Sequence, residues 1–264
     1  MSLDARRAAL WRAMGLGPEW VLREHAAADS ALHEAGSAAG AGARAAQERL
    51  AAPAAASTSG TPEGRAAAIA AMDWEALRAA VAGCTACVLC RSRTQTVFGV
   101  GRRDAAWMIV GEAPGAEEDA RGEPFVGQAG RLLDNMLAAV GRSRAADAPR
   151  PVFIANVLKC RPPGNRNPQP DEVAACEPFL LRQIELVQPR LLLVLGRFAA
   201  QTVLRTDAPI SALRGRVHRV PVAGREVPTI VSYHPAYLLR NLADKAKSWA
   251  DLCLAMEVAG QSEG

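Results

Sequence analysis

The sequence lacks any long apolar run, although half of its 264 residues are hydrophobic. No stretch approaches the roughly 18 residues that a helix needs to cross a bilayer. The first residues, 1–7, are not followed by the apolar region of a secretory signal. We therefore expect a cytoplasmic protein that makes no membrane contact and has enough apolar residues to bury a sizeable core.

Lysine is also scarce, since all but three of the 31 basic residues are arginine. Arginine favours bidentate contacts with phosphate groups over simple charge pairing. A GC-rich coding sequence would produce the same bias. The bias is therefore compatible with nucleic-acid binding without requiring it.

Large apolar residues are nearly absent between residues 26 and 71, where alanine, glycine, serine and proline dominate. Such a composition cannot bury enough surface to offset chain entropy. We interpret residues 25–72 as a disordered linker that follows a short helical segment at 1–24. The compact domain is predicted at 73–258, beginning with a helix that Asp73 caps, and we expect it to be a monomer.

Within this domain, short apolar runs alternate with patterns typical of helices. The runs lie at 106–110, 152–157, 191–195 and 228–231, and the helical patterns at 129–140, 170–187, 197–204 and 244–257. Alternation of this kind favours parallel strands covered by helices. The sequence thus predicts an α/β fold, a three-layer α/β/α sandwich with a central four-stranded, mainly parallel sheet.

Polar residues follow the predicted strands at the edge where parallel sheets bind ligands. Glu112 follows the first strand, Asn156 ends the second, and His234 follows the fourth. Each has an ordinary explanation: Glu112 as a helix cap within a Gly-Glu-Ala-Pro-Gly turn, Asn156 as a loop anchor, and His234 as a structural histidine. Their convergence on one edge favours a binding or catalytic site.

Two further features flank this predicted site. Phe125 lies between glycines and a proline just before a helix, either as a core anchor or as a platform on which a base stacks. Arginine-rich segments occur at 161–168, 214–216 and 240–241. These are either solvated loops or contacts for a phosphate backbone.

Four of the six cysteines form two distant groups, Cys84-x2-Cys87 and Cys160-x15-Cys176. With no secretory signal, this pattern favours two halves of one metal site over disulfides. Four thiolates without histidine suit zinc and an iron–sulfur cluster equally. Cys90 extends the first pair, so three local ligands and one distant ligand are a competing assignment, whereas Cys253 is interpreted as a buried apolar residue.

From about Cys84 to Leu254 the chain resembles the family 4 uracil-DNA glycosylases, bacterial and archaeal base-excision enzymes that carry a [4Fe-4S] cluster. The resemblance rests on segments in the family's order: Cys84–Cys87, Val97–Gly99, Ile109–Gly115, Pro124–Gly127, Asn156–Pro163 and His234–Arg240. It implies an enzyme that flips deoxyuridine out of single- or double-stranded uracil-containing DNA. That enzyme would hydrolyse the N-glycosidic bond, releasing uracil and leaving an abasic site. It would be associated with the nucleoid during repair.

The resemblance also implies roles for individual residues. Its cluster ligands are Cys84, Cys87, Cys160 and Cys176, which leaves Cys90 out. Its uracil pocket comprises Gly111, Glu112, Ala113, Phe125, Asn156 and His234, of which Glu112, Asn156 and His234 are expected to be catalytic. Glu118 is expected near uracil C5, where it would discourage thymine.

Other classes of function make different demands on the sequence. A nucleic-acid-binding module that had lost catalysis would be expected to lack part of the strand-end set, yet Glu112, Asn156 and His234 are all present. A radical enzyme would carry a Cys-x3-Cys-x2-Cys run, which this sequence lacks. A zinc-dependent hydrolase of nucleotides remains an alternative, and the colour of the purified protein would distinguish it from an iron–sulfur enzyme.

Overall fold

The computed structural model describes residues 61–261. Within them a six-stranded sheet has the order β1-β3-β2-β4-β6-β5. Its strands are β1 (Val100–Gly101), β2 (Trp107–Gly111), β3 (Val152–Asn156), β4 (Leu191–Leu195), β5 (Val217–Val222) and β6 (Arg225–Ser232). The four central strands, β3, β2, β4 and β6, are mutually parallel, so their carboxyl ends share one edge of the sheet.

The α/β class and the four predicted strands are confirmed, but the predicted count of four strands is wrong. Both additional strands are antiparallel edges, β1 beside β3 and β5 beside β6. The first is only two residues long. Three of the six residues of β5 are exposed, so neither strand forms a continuous apolar run. A search for buried strands therefore detects only the centre of the sheet.

Nine α-helices pack around the sheet in the part of the chain from 61 to 261. They are α1 (Pro62–Ala70), α2 (Trp74–Ala82), α3 (Ala116–Arg121), α4 (Gln128–Ala139), α5 (Pro170–Val187), α6 (Arg197–Leu204), α7 (Ile210–Leu213), α8 (Pro235–Leu238) and α9 (Lys245–Gln261). Apolar residues of α1, α2, α5, α6 and α7 cover one face, and those of α4, α8 and α9 cover the other. This arrangement is the predicted three-layer sandwich. None of these helices is both long and apolar enough to cross a membrane.

The compact unit begins earlier than the sequence predicts. Helix α1 lies within the predicted linker, and its Ile69 is 2% exposed in the core. Arg65 Nη1 donates to Ala175 O at 2.8 Å, and Arg182 Nε donates to Met72 O at 2.7 Å. The linker prediction is therefore wrong for residues 61–72, because alanine-rich sequence also forms stable helix when one face is packed. The predicted segment 1–24 and residues 25–60 lie outside the described residues.

Two truncations test this boundary. We expect removal of residues 1–70 to lower the thermal unfolding midpoint by several degrees relative to removal of residues 1–60. Only the deletion of residues 1–70 removes α1, and burying a side chain such as Ile69 contributes roughly 2 kcal/mol. Scanning calorimetry of both proteins measures the difference, and equal midpoints would contradict a structural role for α1.

Candidate active site

A cavity of about 750 Å³ opens at the carboxyl ends of the parallel strands. It brings together the predicted residues from separate segments of the chain: Glu112, Ala113, Phe125, Asn156 and His234 all line it, together with Glu118. Gly111 lies behind them at the end of β2. The topology alone produces this convergence, because each side chain follows a parallel strand or the loop after it.

Asn156 ends β3 directly opposite Gly111 of β2, and it is 2% exposed. Its Oδ1 has no hydrogen-bond partner within the described region. A β-carbon at Gly111 would lie 2.4 Å from that oxygen and 2.6 Å from Cζ of Phe125. Glycine therefore keeps open the space in front of the amide. A buried acceptor without a donor is costly, so this one is poised to accept from a ligand.

His234 lies at the amino end of α8, and its ring orientation is fixed from two sides. Its Nδ1 accepts from the main-chain N–H of Ala236 at 3.1 Å. Its ring stacks on Phe125 with centroids 5.4 Å apart. Burial lowers the pKa of His234 to about 4, and this effect exceeds the opposing one of Glu118. Because Nδ1 is an acceptor, the neutral ring carries its proton on Nε2.

Glu112 is half-buried at the start of the loop after β2, where its main-chain oxygen accepts from Leu158 N at 3.0 Å. Burial raises the pKa of its carboxyl, and the nearby Arg197 guanidinium acts in the opposite direction. The ordinary explanation of Glu112 as a helix cap is wrong, since the next helix begins at Ala116 after an N-cap at Gly115. Its side chain is instead part of the cavity wall.

Glu118 joins the two loops that form one wall of the cavity. Its Oε2 accepts from Gly115 N at 3.0 Å, and its Oε1 accepts from Val126 N at 3.1 Å and Gly127 N at 3.4 Å. The carboxylate thus fixes the Gly111–Gly115 loop against the loop that carries Phe125. The resemblance placed Glu118 beside the base, and Glu118 does line the cavity. Its hydrogen bonds to the two loops were not predicted, because a run of acidic residues does not show which one turns inward.

Phe125 is held in a strained conformation, with φ at 55° in a non-glycine residue. Arg144 stabilises it by donating to Pro124 O at 2.9 Å and to Phe125 O at 3.0 Å. Gly130 is required nearby, because a β-carbon there would lie 1.7 Å from Phe125 O. The ring is 5% exposed and both packs in the core and lines the cavity. Strain that the surroundings hold in place is typical of functional sites.

The arginine-rich segments fall into two groups. Arg240 is exposed at the cavity, as is Arg197, which lies outside the predicted segments. Arg214 instead turns inward and forms an ion pair with the buried Asp251 at 2.8 Å, which ties the sheet edge to α9. The suggestion that Arg214 contacts phosphates is therefore wrong. Arg166 lines the cavity and pairs with the buried Glu172 of α5, so it shapes the loop after β3.

A second, smaller pocket lies behind the sheet edge and is lined by five cysteines: Cys84, Cys87, Cys90, Cys160 and Cys176. Three sulfur atoms accept N–H hydrogen bonds: Cys160 from Arg93 at 3.1 Å, Cys176 from Lys159 N at 3.2 Å, and Cys84 from Arg65 at 3.7 Å. None of the six cysteines forms a disulfide. Cys253 lies elsewhere, half-buried on α9.

The donor set of this pocket suits a thiolate-bound metal cluster. Burial raises the pKa of Cys87, of Cys160 and of Cys176, the last to about 12, so these thiols stay protonated until a metal displaces the proton. No three potential ligands among residues 61–261 are close enough to hold a single metal ion. The lining residues include thiols but no histidine or carboxylate, a donor set that iron–sulfur clusters and zinc both use.

Lys159 lies between the two pockets and was not foreseen from the sequence. Its side chain is 1% exposed. The ammonium donates to Asn156 O at 2.7 Å and to Gln183 Oε1 at 2.6 Å. Burial lowers its pKa to about 8, while Cys176 and Cys160 act in the opposite direction. In the sequence, a lysine next to a cysteine indicates a surface loop, and only the fold shows that Lys159 is buried.

Comparisons with known proteins agree with this geometry. The family model for the uracil DNA glycosylase superfamily matches residues 98–253. The type-4 uracil-DNA glycosylase of Archaeoglobus fulgidus is 45% identical over 187 residues, covering 69% of this chain and 92% of that protein. Those of Pyrobaculum aerophilum and Thermotoga maritima are 39% and 43% identical, covering 93% and 82% of their lengths. The chain therefore belongs to the uracil-DNA glycosylase superfamily and, within it, to the type-4 group.

Proposed function

We propose that the chain is a uracil-DNA glycosylase, which takes deoxyuridine out of the DNA stack and hydrolyses the bond between uracil N1 and the sugar. The observation that carries this proposal is the buried Oδ1 of Asn156, which faces the open space over Gly111 without a donor. The names of its type-4 relatives support the same activity. A base in this cavity must be extrahelical, because the reacting bond is inaccessible inside a duplex.

The Asn156 amide explains the choice of base. It offers one acceptor and two donors in fixed positions, so Oδ1 would accept from uracil N3–H while Nδ2 donates to uracil O4. Cytosine has an unprotonated N3 and an amino group at position 4, which reverses both polarities. Its entry would leave polar groups unpaired at a buried site, a mismatch that typically gives strong discrimination.

Bond cleavage develops negative charge on the departing uracil and positive charge on the sugar. The Nε2–H of neutral His234 would donate to uracil O2 as that charge forms, and a preorganised donor of this kind is worth roughly 3 kcal/mol of barrier. Glu112 would orient the attacking water and stabilise the cationic sugar, as carboxylates do in other glycosidases. Phe125, already stacked on His234, would hold the plane of the base.

The proton on His234 gives a pH prediction. We expect the ring to remain the neutral Nε2–H tautomer from pH 5 to pH 8, because its pKa is about 4. Since this value lies below that of the unfolded chain, protonation favours unfolding, and the corresponding stability is lost as pH falls from about 6.5 towards 4. Nitrogen-15 NMR of histidine-labelled protein reads the tautomer directly, with His234→Gln identifying the signal among four histidines. A ring that titrates near 6.5 would contradict this assignment.

The loop after α8 supplies features suited to opening the duplex. Leu239 and Leu242 are 38% and 60% exposed, and Arg240 lies beside them at the cavity. An apolar side chain can enter the gap that an extruded base leaves, while a cation holds the adjacent phosphate. Exposure of two leucines beside a base pocket is consistent with contact to unstacked DNA.

For the cysteine pocket, we infer a [4Fe-4S] cluster bound by Cys84, Cys87, Cys160 and Cys176, with Cys90 as a neighbour that does not bind. When present, the cluster would supply a structural cross-link between the loop after α2 and the segment after β3. That segment continues directly from Asn156, so the cross-link would stabilise one wall of the base pocket. Zinc is the second candidate, and iron analysis distinguishes the two.

The activity is tested with matched oligonucleotides that carry uracil, thymine or cytosine at one position. We expect alkali-labile sites only in the uracil strand, together with released uracil. Binding without any cleavage would identify a module that has lost catalysis, and failure to act on uracil would overturn the proposal.

A further inference from the structure

Lys159 takes no part in the chemistry proposed above, yet it is among the most deeply buried charged residues of the described chain. Both hydrogen-bond acceptors of its ammonium are neutral, namely the main-chain oxygen of Asn156 and the amide oxygen of Gln183. None of the ion pairs formed within residues 61–261 includes it. A buried charge without an anionic partner is costly. No protein carboxylate in the described part of the chain supplies the negative charge that would balance the Lys159 ammonium.

The cysteine pocket supplies the missing negative charge. Lys159 is itself one of the residues that line this pocket. Its main-chain N–H donates to Cys176 Sγ at 3.2 Å, and Cys160 is the next residue in the chain. Thiolates that carry a metal cluster have a net negative charge. The lysine is therefore placed where it can balance the charge of an occupied site.

The same ammonium reaches the base pocket through the main chain. It contacts the carbonyl of the residue whose side chain is proposed to read uracil. Its second acceptor, Gln183, lies on α5 two turns after Cys176, and Gln183 Nε2 donates to Phe98 O at 2.9 Å. That bond orients the amide so that its oxygen faces the lysine. The ammonium is thus held by the helix that carries one cysteine and by the strand end that carries the base-reading amide.

We propose that Lys159 is a positioning residue that links the cysteine pocket to the base pocket. It balances the negative charge of the metal-bound thiolates and fixes the end of β3. The Asn156 amide is thereby held where it can form hydrogen bonds with the base. The inference rests on the proposed function for the identity of the base. Loss of the ammonium should change both pockets at once, whereas a residue needed only for packing would change stability alone.

The test compares three holoproteins: wild type, Lys159→Met and Lys245→Met. Methionine keeps most of the side-chain volume, and Lys245 is a second buried lysine (7% exposed) that lines neither pocket. Iron content, the reduction potential of the cluster and the affinity for free uracil are measured well below the unfolding temperature. We expect Lys159→Met to lower the reduction potential, because a cation that favours the reduced cluster is gone. We also expect it to weaken uracil binding roughly tenfold, in line with loss of a charged hydrogen bond, while Lys245→Met changes neither quantity.

An unchanged potential, or uracil affinity within twofold of wild type, would overturn the link. Should Lys159→Met fail to fold, Gln183→Leu is tested in its place. That variant keeps Lys159 and all cysteines but removes one of the two hydrogen-bond acceptors of the Lys159 ammonium. We expect Gln183→Leu to retain its iron and bind uracil a few-fold more weakly; unaltered uracil binding would overturn the proposal. If wild type binds uracil but does not excise it from DNA, the proposed function fails, while the comparison of potentials and affinities still decides the role of Lys159.

Discussion

Replacing His234 with alanine is expected to lower kcat for uracil release by roughly 10²–10³-fold. The ring is fixed before substrate arrives, since Nδ1 accepts from Ala236 N and one face stacks on Phe125. Its Nε2–H can therefore donate to uracil O2 without reorganisation, and the bond strengthens as the base becomes an anion. Removing a donor that acts mainly in the transition state lowers kcat and kcat/KM together.

Single-turnover kinetics on a uracil-containing strand measure this loss, and a gel-shift assay checks that DNA binding persists. His218→Ala is the matched control, because His218 lies on the edge strand β5 and bonds to Leu213 O away from the cavity. We expect the control to retain wild-type turnover. If His234→Ala raised KM while kcat stayed constant, the histidine would stabilise bound substrate and transition state equally, and its assigned role would be wrong.

The edge of the sheet that carries the cavity was predictable because it follows from patterns in short segments of the sequence. Buried parallel strands appear in a sequence as continuous apolar runs, and the residues that follow them lie at the same edge of the sheet. Glu112, Asn156 and His234 were placed in this way, and the structure brings all three to one cavity. The order of the strands was not needed, since any parallel arrangement would align their carboxyl ends.

What the sequence could not reveal depends on long-range packing. The exposed β5 has no apolar run, and α1 is an alanine-rich helix whose stability comes from the core contact of Ile69. The inward turn of Glu118 and the burial of Lys159 depend on how loops meet after folding. Charged residues are usually exposed, so residue type alone places both of them in solvent, and only the family resemblance placed Glu118 beside the base.

The loop after β3 shows how one segment serves both pockets. Asn156 faces the base cavity, whereas Cys160, four residues later, lines the cysteine pocket. Arg166 at the end of the loop is held by Glu172, which shares α5 with Cys176. A cross-link at the cysteines would therefore restrict the position of residues that are proposed to contact substrate. On this view the metal site shapes the active site without taking part in bond cleavage.

This connection predicts the largest effect on the folded protein. We expect Cys176→Ser to lose nearly all of its iron and to be destabilised by several kcal/mol, because a structural metal contributes folding energy directly. Cys176 is 8% exposed on α5, and its sulfur accepts from Lys159 N. Serine is a poor replacement, since its hydroxyl gives up a proton far less readily than a thiol held by a metal.

Cys90→Ser is the matched control, as Cys90 lines the same pocket but is proposed not to bind. We expect it to keep the iron content, absorbance spectrum and unfolding midpoint of wild type. Iron analysis and calorimetry on both variants, purified without oxygen, decide between the two ligand sets. Loss of iron in Cys90→Ser with retention in Cys176→Ser would favour the other set, in which the three local cysteines and one distant cysteine are the ligands. Zinc in place of iron in the wild-type protein would instead rule out a cluster, and uracil excision by that protein would show that the cavity alone carries the chemistry.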